Sequence, residues 1–378
     1  MTIVGMVTDD PSSSGVAPRS RFALDSKEWP RWAKAELLRE EGRTGETNLL
    51  AIPTPSGCPT IYMKDETALP TGSLKHRLAR SLFSYALYNG WIGEDTRIVE
   101  CSSGSTAVSE AYFSRLIGVE FTAVVPRNTS SEKLAEIELH GGTCLLVDSE
   151  AEARETCVAL AKAPDGKTHF MDQFTYAERA VDWRAESGLT ASAFRQLQRE
   201  EHPVPSWIVC GAGTGGTATS FGRYLRAAAH PTRLCLADPE GSIYHRVILG
   251  TVQHNVAVPG SLIEGVGRRQ QEPSFLPTLI DRATAVCDAD SVGAAHALSQ
   301  YLGRKVGGSS GTNLWVAIQL AEEMRQRGEK GSILTLLCDK GERYASTIYN
   351  AAWLAQKGID HRPAERVVAD FLRLGRAS

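Results

Sequence analysis

Two kinds of apolar pattern alternate along the chain. Short runs such as Arg97–Cys101, Phe121–Val125, Thr143–Val147, Trp207–Cys210, Leu234–Asp238 and Ser332–Cys338 are continuous, rich in β-branched residues and bounded by turn residues. Runs of that kind read as strands buried on both faces. Between them apolar residues recur at helical spacing, clearest at Leu74, Leu78, Leu82, Phe83, Ala86 and Leu87. Helices are expected over 29–41, 75–89, about 105–117, 130–140, 150–161, 192–200, up to 229, 290–301 and 312–327. Further strands are expected at 61–64, 169–174 and 285–287. Strictly alternating strands and helices imply an α/β fold with parallel sheets and helices on both faces. Residues 242–277 are long, Gly-rich and aperiodic, the mark of a functional loop.

At 378 residues the core is expected to divide in two. The smaller α/β unit would span 60–185, with its mobile part at about 95–165, and the larger would combine 26–59 with 186–352. The stretch 353–378 would be a C-terminal helix or tail, packed on a partner subunit or frayed. Residues 1–25 are small and polar and are expected to be disordered. Net charge is −3 with both signs mixed, so nothing favours nucleic acid or an anionic membrane. No apolar run approaches the roughly 20 residues of a bilayer span, and no secretory leader is visible. Eight cysteines lack Cys-x-x-Cys spacing and nine histidines show no paired helical spacing. The chain therefore reads as a reduced cytoplasmic protein without a metal.

The stretch Pro70-Thr71-Gly72-Ser73-Leu74-Lys75 reads as a turn closing on a helix, with Ser73 as the expected N-cap. Lys75 then falls in the first helical turn, where the dipole disfavours a cation. Two readings stand at this point: a solvated surface lysine, or an amine kept neutral for Schiff-base chemistry. Three glycine-serine loops, Ser102–Thr106, Gly211–Thr217 and Gly307–Gly311, share an expected strand–turn–helix design. Each would offer backbone N–H groups to an anion. The middle loop also fits G-x-G-x-x-G, with Asp238 at dinucleotide spacing, so an NAD-binding oxidoreductase is one reading. That reading uses neither Lys75 nor the serine loops.

The motifs PTGSLK, SSGST, GTGGT, EGVG, GGSSG and DKGERY occur in order between about residues 45 and 350. In order and approximate spacing they resemble the cysteine synthase family of fold-type-II, tryptophan-synthase-β-like enzymes that use pyridoxal 5′-phosphate (PLP). The string TGSLKHRLARSLF with Asn89-Gly90-Trp91-Ile92 is most similar to the cysteine desulfhydrase branch. By this resemblance Lys75 is the Schiff-base lysine and Gly213, Thr214, Gly215, Gly216 and Thr217 form the phosphate cup. Ser309 faces the pyridine nitrogen, and Gly265 lies beside the ring. Ser102, Ser103, Gly104 and Thr106 grip the substrate carboxylate with Gln173. Two positions depart from the pattern. Ser105 stands where most relatives carry the Asn that binds the ring oxygen, so that contact is expected to be lost, water-mediated or replaced. His76 stands where relatives commonly carry Asp, and adjacent helical residues point about 100° apart, so a supporting or surface position is expected.

The resemblance implies that Lys75, freed by the incoming amino acid, abstracts the Cα proton. Loss of the β-substituent then gives an α-aminoacrylate. With Ser309 at the ring nitrogen, β-elimination is favoured over transamination. The expected reaction is desulfhydration of L-cysteine to sulfide, pyruvate and ammonia. The alternative is a β-replacement synthase acting on an activated serine, and a third reading, suggested by Ser105, is a non-catalytic amino-acid-binding protein. A homodimer is also implied.

Overall fold

Residues 28–251 and 258–376 are described by the computed structural model. The expected disorder at 1–25 and part of the 242–277 loop fall outside them. The strands are β1 (Leu49–Ile52), β2 (Thr60–Asp65), β3 (Arg97–Glu100), β4 (Glu120–Pro126), β5 (Thr143–Val147), β6 (Thr168–Phe170), β7 (Trp207–Cys210), β8 (Arg233–Pro239), β9 (Arg282–Val286) and β10 (Ser332–Leu337). They form a six-stranded sheet, β1-β2-β10-β7-β8-β9, and a four-stranded one, β5-β4-β3-β6. All pairings are parallel except that of β1 with β2, which closes one edge of the larger sheet.

Side-chain alternation explains why the central strands have no polar face. In β2, Ile61 and Met63 enter one core cluster while Tyr62 enters the cluster on the opposite face. In β10, Ile333 and Leu337 go one way, Leu334 and Leu336 the other, and all six residues are buried. A parallel sheet covered by helices on both faces demands this composition. The same demand moves β2: placed with the smaller unit in the sequence analysis, it lies in the larger sheet, because its last five residues are buried and need strand neighbours on both sides.

Two further expectations are corrected. Gln173-Phe174 ends no strand; β6 stops at Phe170 and a helix runs over Gln173–Ala180. Asp172 between them adopts left-handed backbone (φ 45°) that turns the chain from strand to helix. The described part of the C-terminal stretch is not frayed but packs on its own chain. Its helix Arg362–Arg376 buries Ala364, Val368 and Leu372, the last two in the core of the larger sheet. Burying the valine and leucine contributes about 1.5–3 kcal/mol each. No helix among the described residues is long and apolar enough to cross a membrane.

Candidate active site

The carboxyl ends of β3, β7 and β10 open into one cleft between the sheets, the usual ligand position in open α/β folds. Its cavity of about 1100 Å³ is lined by Lys75, Ser102, Ser103, Gly104, Ser105, Thr106, Gln173, the 213–217 loop, Gly265 and Ser309. The topology therefore brings together every site residue expected from the sequence.

Lys75 is the first residue of the helix Lys75–Tyr88. The preceding turn is pinned to the end of β10: Leu74 N donates to the Cys338 carbonyl at 2.8 Å, and Ser73 bridges to Asp339. Gly72 has φ +67°, a conformation that favours glycine. The cap residue is Leu74, not Ser73, because the turn itself is already helical there. Ser73 Oγ still accepts from Lys75 N at 3.2 Å. The lysine is partly buried and shows the rest of its surface to the cleft. That burial lowers the ammonium pKa, against the opposing pull of Cys338 and Asp339. A helix start and a desolvated pocket thus both favour the neutral amine.

The 211–217 loop leads from β7 into the helix Gly216–Ala227. The N–H groups of Gly213, Thr214 and Gly215 donate to no acceptor among the described residues. Tyr244 Oη holds the loop from behind by donating to the Gly213 carbonyl at 2.7 Å. Side chains are excluded from this turn. A Cβ on Gly213 would meet the Gly265 carbonyl oxygen at 2.5 Å, and one on Gly215 (φ +91°) would meet Ser274 O at 2.7 Å. Unpaired N–H groups at the start of a twelve-residue helix make an anion cradle. A phosphate fits it. The dinucleotide reading fails nearby, since Asp238 is fully buried and accepts from both His245 N (2.9 Å) and His245 Nδ1 (2.8 Å).

On the facing wall, Glu100 stitches the serine loop to Gln173. Its carboxylate accepts from Cys101 N at 2.9 Å and Gln173 N at 3.0 Å. Burial pushes this carboxyl up to about 7, against those two N–H bonds. Gln173 Oε1 accepts from Thr106 Oγ1 at 2.8 Å, which leaves its amide N–H groups free to donate. Together with the N–H groups opening the helix Ser105–Leu116, this wall suits a carboxylate ligand.

The third glycine-serine loop departs from the expected design. No strand precedes it: the helix Asp288–Leu302 does, and Gly308–Gly311 already form the first turn of the next helix. Glycine is required there because a Cβ on Gly311 would meet Ala295 N at 2.6 Å. Ser310 anchors the turn by accepting from Cys338 N at 2.9 Å. Ser309 lies beside the Cys338 thiol, whose pKa burial pushes up to about 12, so the thiol stays protonated.

DKGERY was read only as a family marker, yet it supplies the floor of the cleft. Asp339 and Arg343 line it. Asp339 Oδ2 accepts from Tyr344 Oη at 2.5 Å, while Oδ1 is buried without a partner. Burial raises the Asp339 pKa, opposed by Arg343, Tyr344 and Lys75. Arg343 donates to Ser105 Oγ, to Glu136 Oε1 (2.6 Å) and to the Thr71 carbonyl (3.4 Å). The serine at the departing position is thus held by the opposite wall, a pairing between loops 238 residues apart that no local pattern announces. Arg343→Met strands these acceptors, and chemical denaturation is expected to show a loss of about 1–3 kcal/mol. An unchanged midpoint would remove Arg343 from the account. His76 does not line the cleft. It is buried, bonded to Thr71 Oγ1 (3.1 Å) and Glu40 (2.8 Å), where it fastens the helix Glu28–Thr44.

The profile of the family described as "Pyridoxal-phosphate dependent enzyme" matches residues 40–339. The chain belongs to this family. Its cofactor is pyridoxal phosphate, and the cleft just described fits that group. Among its relatives is the L-cysteine desulfhydrase Cds1 of Mycobacterium tuberculosis (strain ATCC 25177 / H37Ra), 47% identical over 92% of this chain and 95% of the relative. Cysteine synthase 2 of Schizosaccharomyces pombe is 30% identical over 84% and 85% respectively. The hydrogen sulfide-producing enzyme of Fusobacterium nucleatum superposes with a TM-score of 0.74 at 23% identity, covering 90% of this chain and 96% of that one. That likeness confirms the fold.

Proposed function

We propose that this enzyme eliminates sulfide from L-cysteine: with water, one cysteine gives one sulfide, one pyruvate and one ammonia. The observation that carries the choice of substrate is the 47% identity to a desulfhydrase over nearly the whole length of both chains.

In this reading residues 213–217 would hold the cofactor phosphate, Lys75 would hold its aldehyde, and Ser309 would face the ring nitrogen. Bound PLP supplies the electron sink that stabilises negative charge at Cα. The chain's own residues do the rest. Gln173, Thr106 and the 102–104 backbone fix the substrate carboxylate. Lys75 Nζ, whose burial favours the neutral amine, would accept the Cα proton. Ser309 would offer the ring nitrogen a hydroxyl without a full negative charge, which would favour loss of the β-substituent over prolonged charge storage. Ser105, engaged by Arg343, would line the cofactor pocket. Lys133 on the helix Ser131–Leu139 reaches Glu264 at 2.8 Å from both carboxylate oxygens. Both residues line the cleft, and the smaller unit's mobile part, about 95–165, would close over the substrate. The reading includes a cytoplasmic homodimer.

The second reading is a β-replacement synthase, favoured by the cysteine synthases among the relatives. One enzyme preparation tests both. Pyruvate release from L-cysteine is expected to exceed cysteine formation from O-acetyl-L-serine and sulfide in kcat/KM. The reverse order would put the synthase first.

A further inference from the structure

Away from the cleft, where the helix Asp288–Leu302 meets the C-terminal helix, His296, His361 and Glu365 converge, and one ligand atom from each lies within 4.8 Å of the others. None of the three lines the cavity. From this cluster we infer a structural site for a first-row divalent cation of the zinc type, with His296, His361 and Glu365 as ligands and water completing the shell.

Four observations converge on that assignment. First, the ligand chemistry is right: two imidazoles and a carboxylate suit zinc and its neighbours, whereas oxygen-only sites suit magnesium and calcium. Second, the spacing of one ligand pair is right. His361 Nε2 and Glu365 Oε2 are 3.4 Å apart, long for a charge-assisted hydrogen bond of about 2.7–2.9 Å. Two ligand atoms at about 2.05 Å from a tetrahedral zinc stand about 3.3 Å apart.

Third, neighbouring groups already hold the ligands from behind. His296 Nε2–H donates to the Ile348 carbonyl at 2.7 Å, so the ring keeps its proton there and leaves a lone pair on Nδ1. The same ring is stacked on Tyr349 at 4.8 Å and 4°. Gln300 Nε2 donates to Glu365 Oε1 at 2.6 Å, which leaves Oε2 to face His361. Outer-shell bonds of this kind orient metal ligands. Fourth, the frame is tight. A Cβ on Gly293 would meet Glu365 N at 2.6 Å and Ala364 Cβ at 2.7 Å, so the two helices are in close contact where the ligands sit. His361, just before the C-terminal helix, and Glu365 in its first turn are four residues apart, a His–Glu spacing that a pattern of His–His pairs does not contain.

The cation would tie the C-terminal helix to the helix Asp288–Leu302. That helix also receives Gly311, in the first turn of the helix that carries Ser309. The test is calorimetric titration of Zn²⁺ into the PLP-loaded enzyme, with cysteine and sulfide absent because both sequester zinc. The wild type is expected to bind one Zn²⁺ per chain at this site and to unfold at a higher temperature with Zn²⁺ present. His361→Gln and Glu365→Gln, at partly exposed positions, are each expected to weaken binding at least tenfold and to lose the thermal shift. Their PLP content and far-ultraviolet circular dichroism should match the wild type, which separates ligand loss from misfolding. No saturable binding by the wild type would overturn the site. So would binding of equal affinity in both variants, which would assign the zinc to cysteine thiols elsewhere.

Discussion

Lys75→Ala is expected to lower pyruvate release from L-cysteine by about 10²–10⁴-fold, the range of a lost acid–base group. The substitution removes the amine that bonds the cofactor aldehyde and the base for the Cα proton together, so partial rescue by either function alone is not available. The fold should survive, because the Lys75 side chain makes no hydrogen bond among the described residues and its turn is held by backbone bonds to Cys338 and Asp339, just past β10. Borohydride treatment followed by peptide mass analysis supplies an independent readout. The wild type should carry the reduced cofactor on Lys75, and the variant should carry none. Retained activity or a label on another lysine would contradict the assignment.

Gly215→Ala should weaken PLP binding at least about tenfold. A non-glycine residue in the left-handed region costs of order 1–3 kcal/mol, and here the new Cβ would also press on the 274–275 backbone at 2.7–2.8 Å. Relief of that contact moves the loop whose N–H groups form the anion cradle. Gly90→Ala is the control. Gly90 has φ +71° with nothing within 4 Å of a Cβ, so it shares the backbone cost without the cradle. Cofactor titration should separate the two: Gly90→Ala loses stability but keeps its affinity for PLP. Equal affinity in wild type and Gly215→Ala would mean that the phosphate binds elsewhere.

Most of the architecture was legible because buried parallel strands leave little choice of residue. Runs such as Trp207–Cys210 and Ser332–Leu337 announce themselves by composition, and their boundaries fall within a residue or two of expectation. The edge strand β1 was missed although Leu49–Ile52 is wholly apolar, since so short a run does not by pattern alone separate a strand from a piece of helix or loop. The helix at Gln173 was missed because left-handed Asp172 ends the strand without a glycine or proline to mark the turn. Candidate site residues were legible where chemistry requires an unusual type, as with Lys75 at a helix start or glycines with no room for a Cβ. Asp339 and Arg343 were quoted without a role, because their part in the cleft depends on Ser105, Glu136 and Thr71, partners placed by the fold and not by spacing. The C-terminal helix shows the same limit: its amphipathic face was visible, but the surface that covers it belongs to residues some 70 positions earlier.

The central claim concerns elimination without a second substrate. Its most direct test gives PLP-loaded enzyme L-cysteine alone and follows pyruvate and sulfide together. The account predicts multiple turnovers with pyruvate and sulfide in equal amounts. A cofactor-loaded enzyme that releases neither from L-cysteine, yet forms product once a nucleophile and an activated serine are supplied, would contradict it.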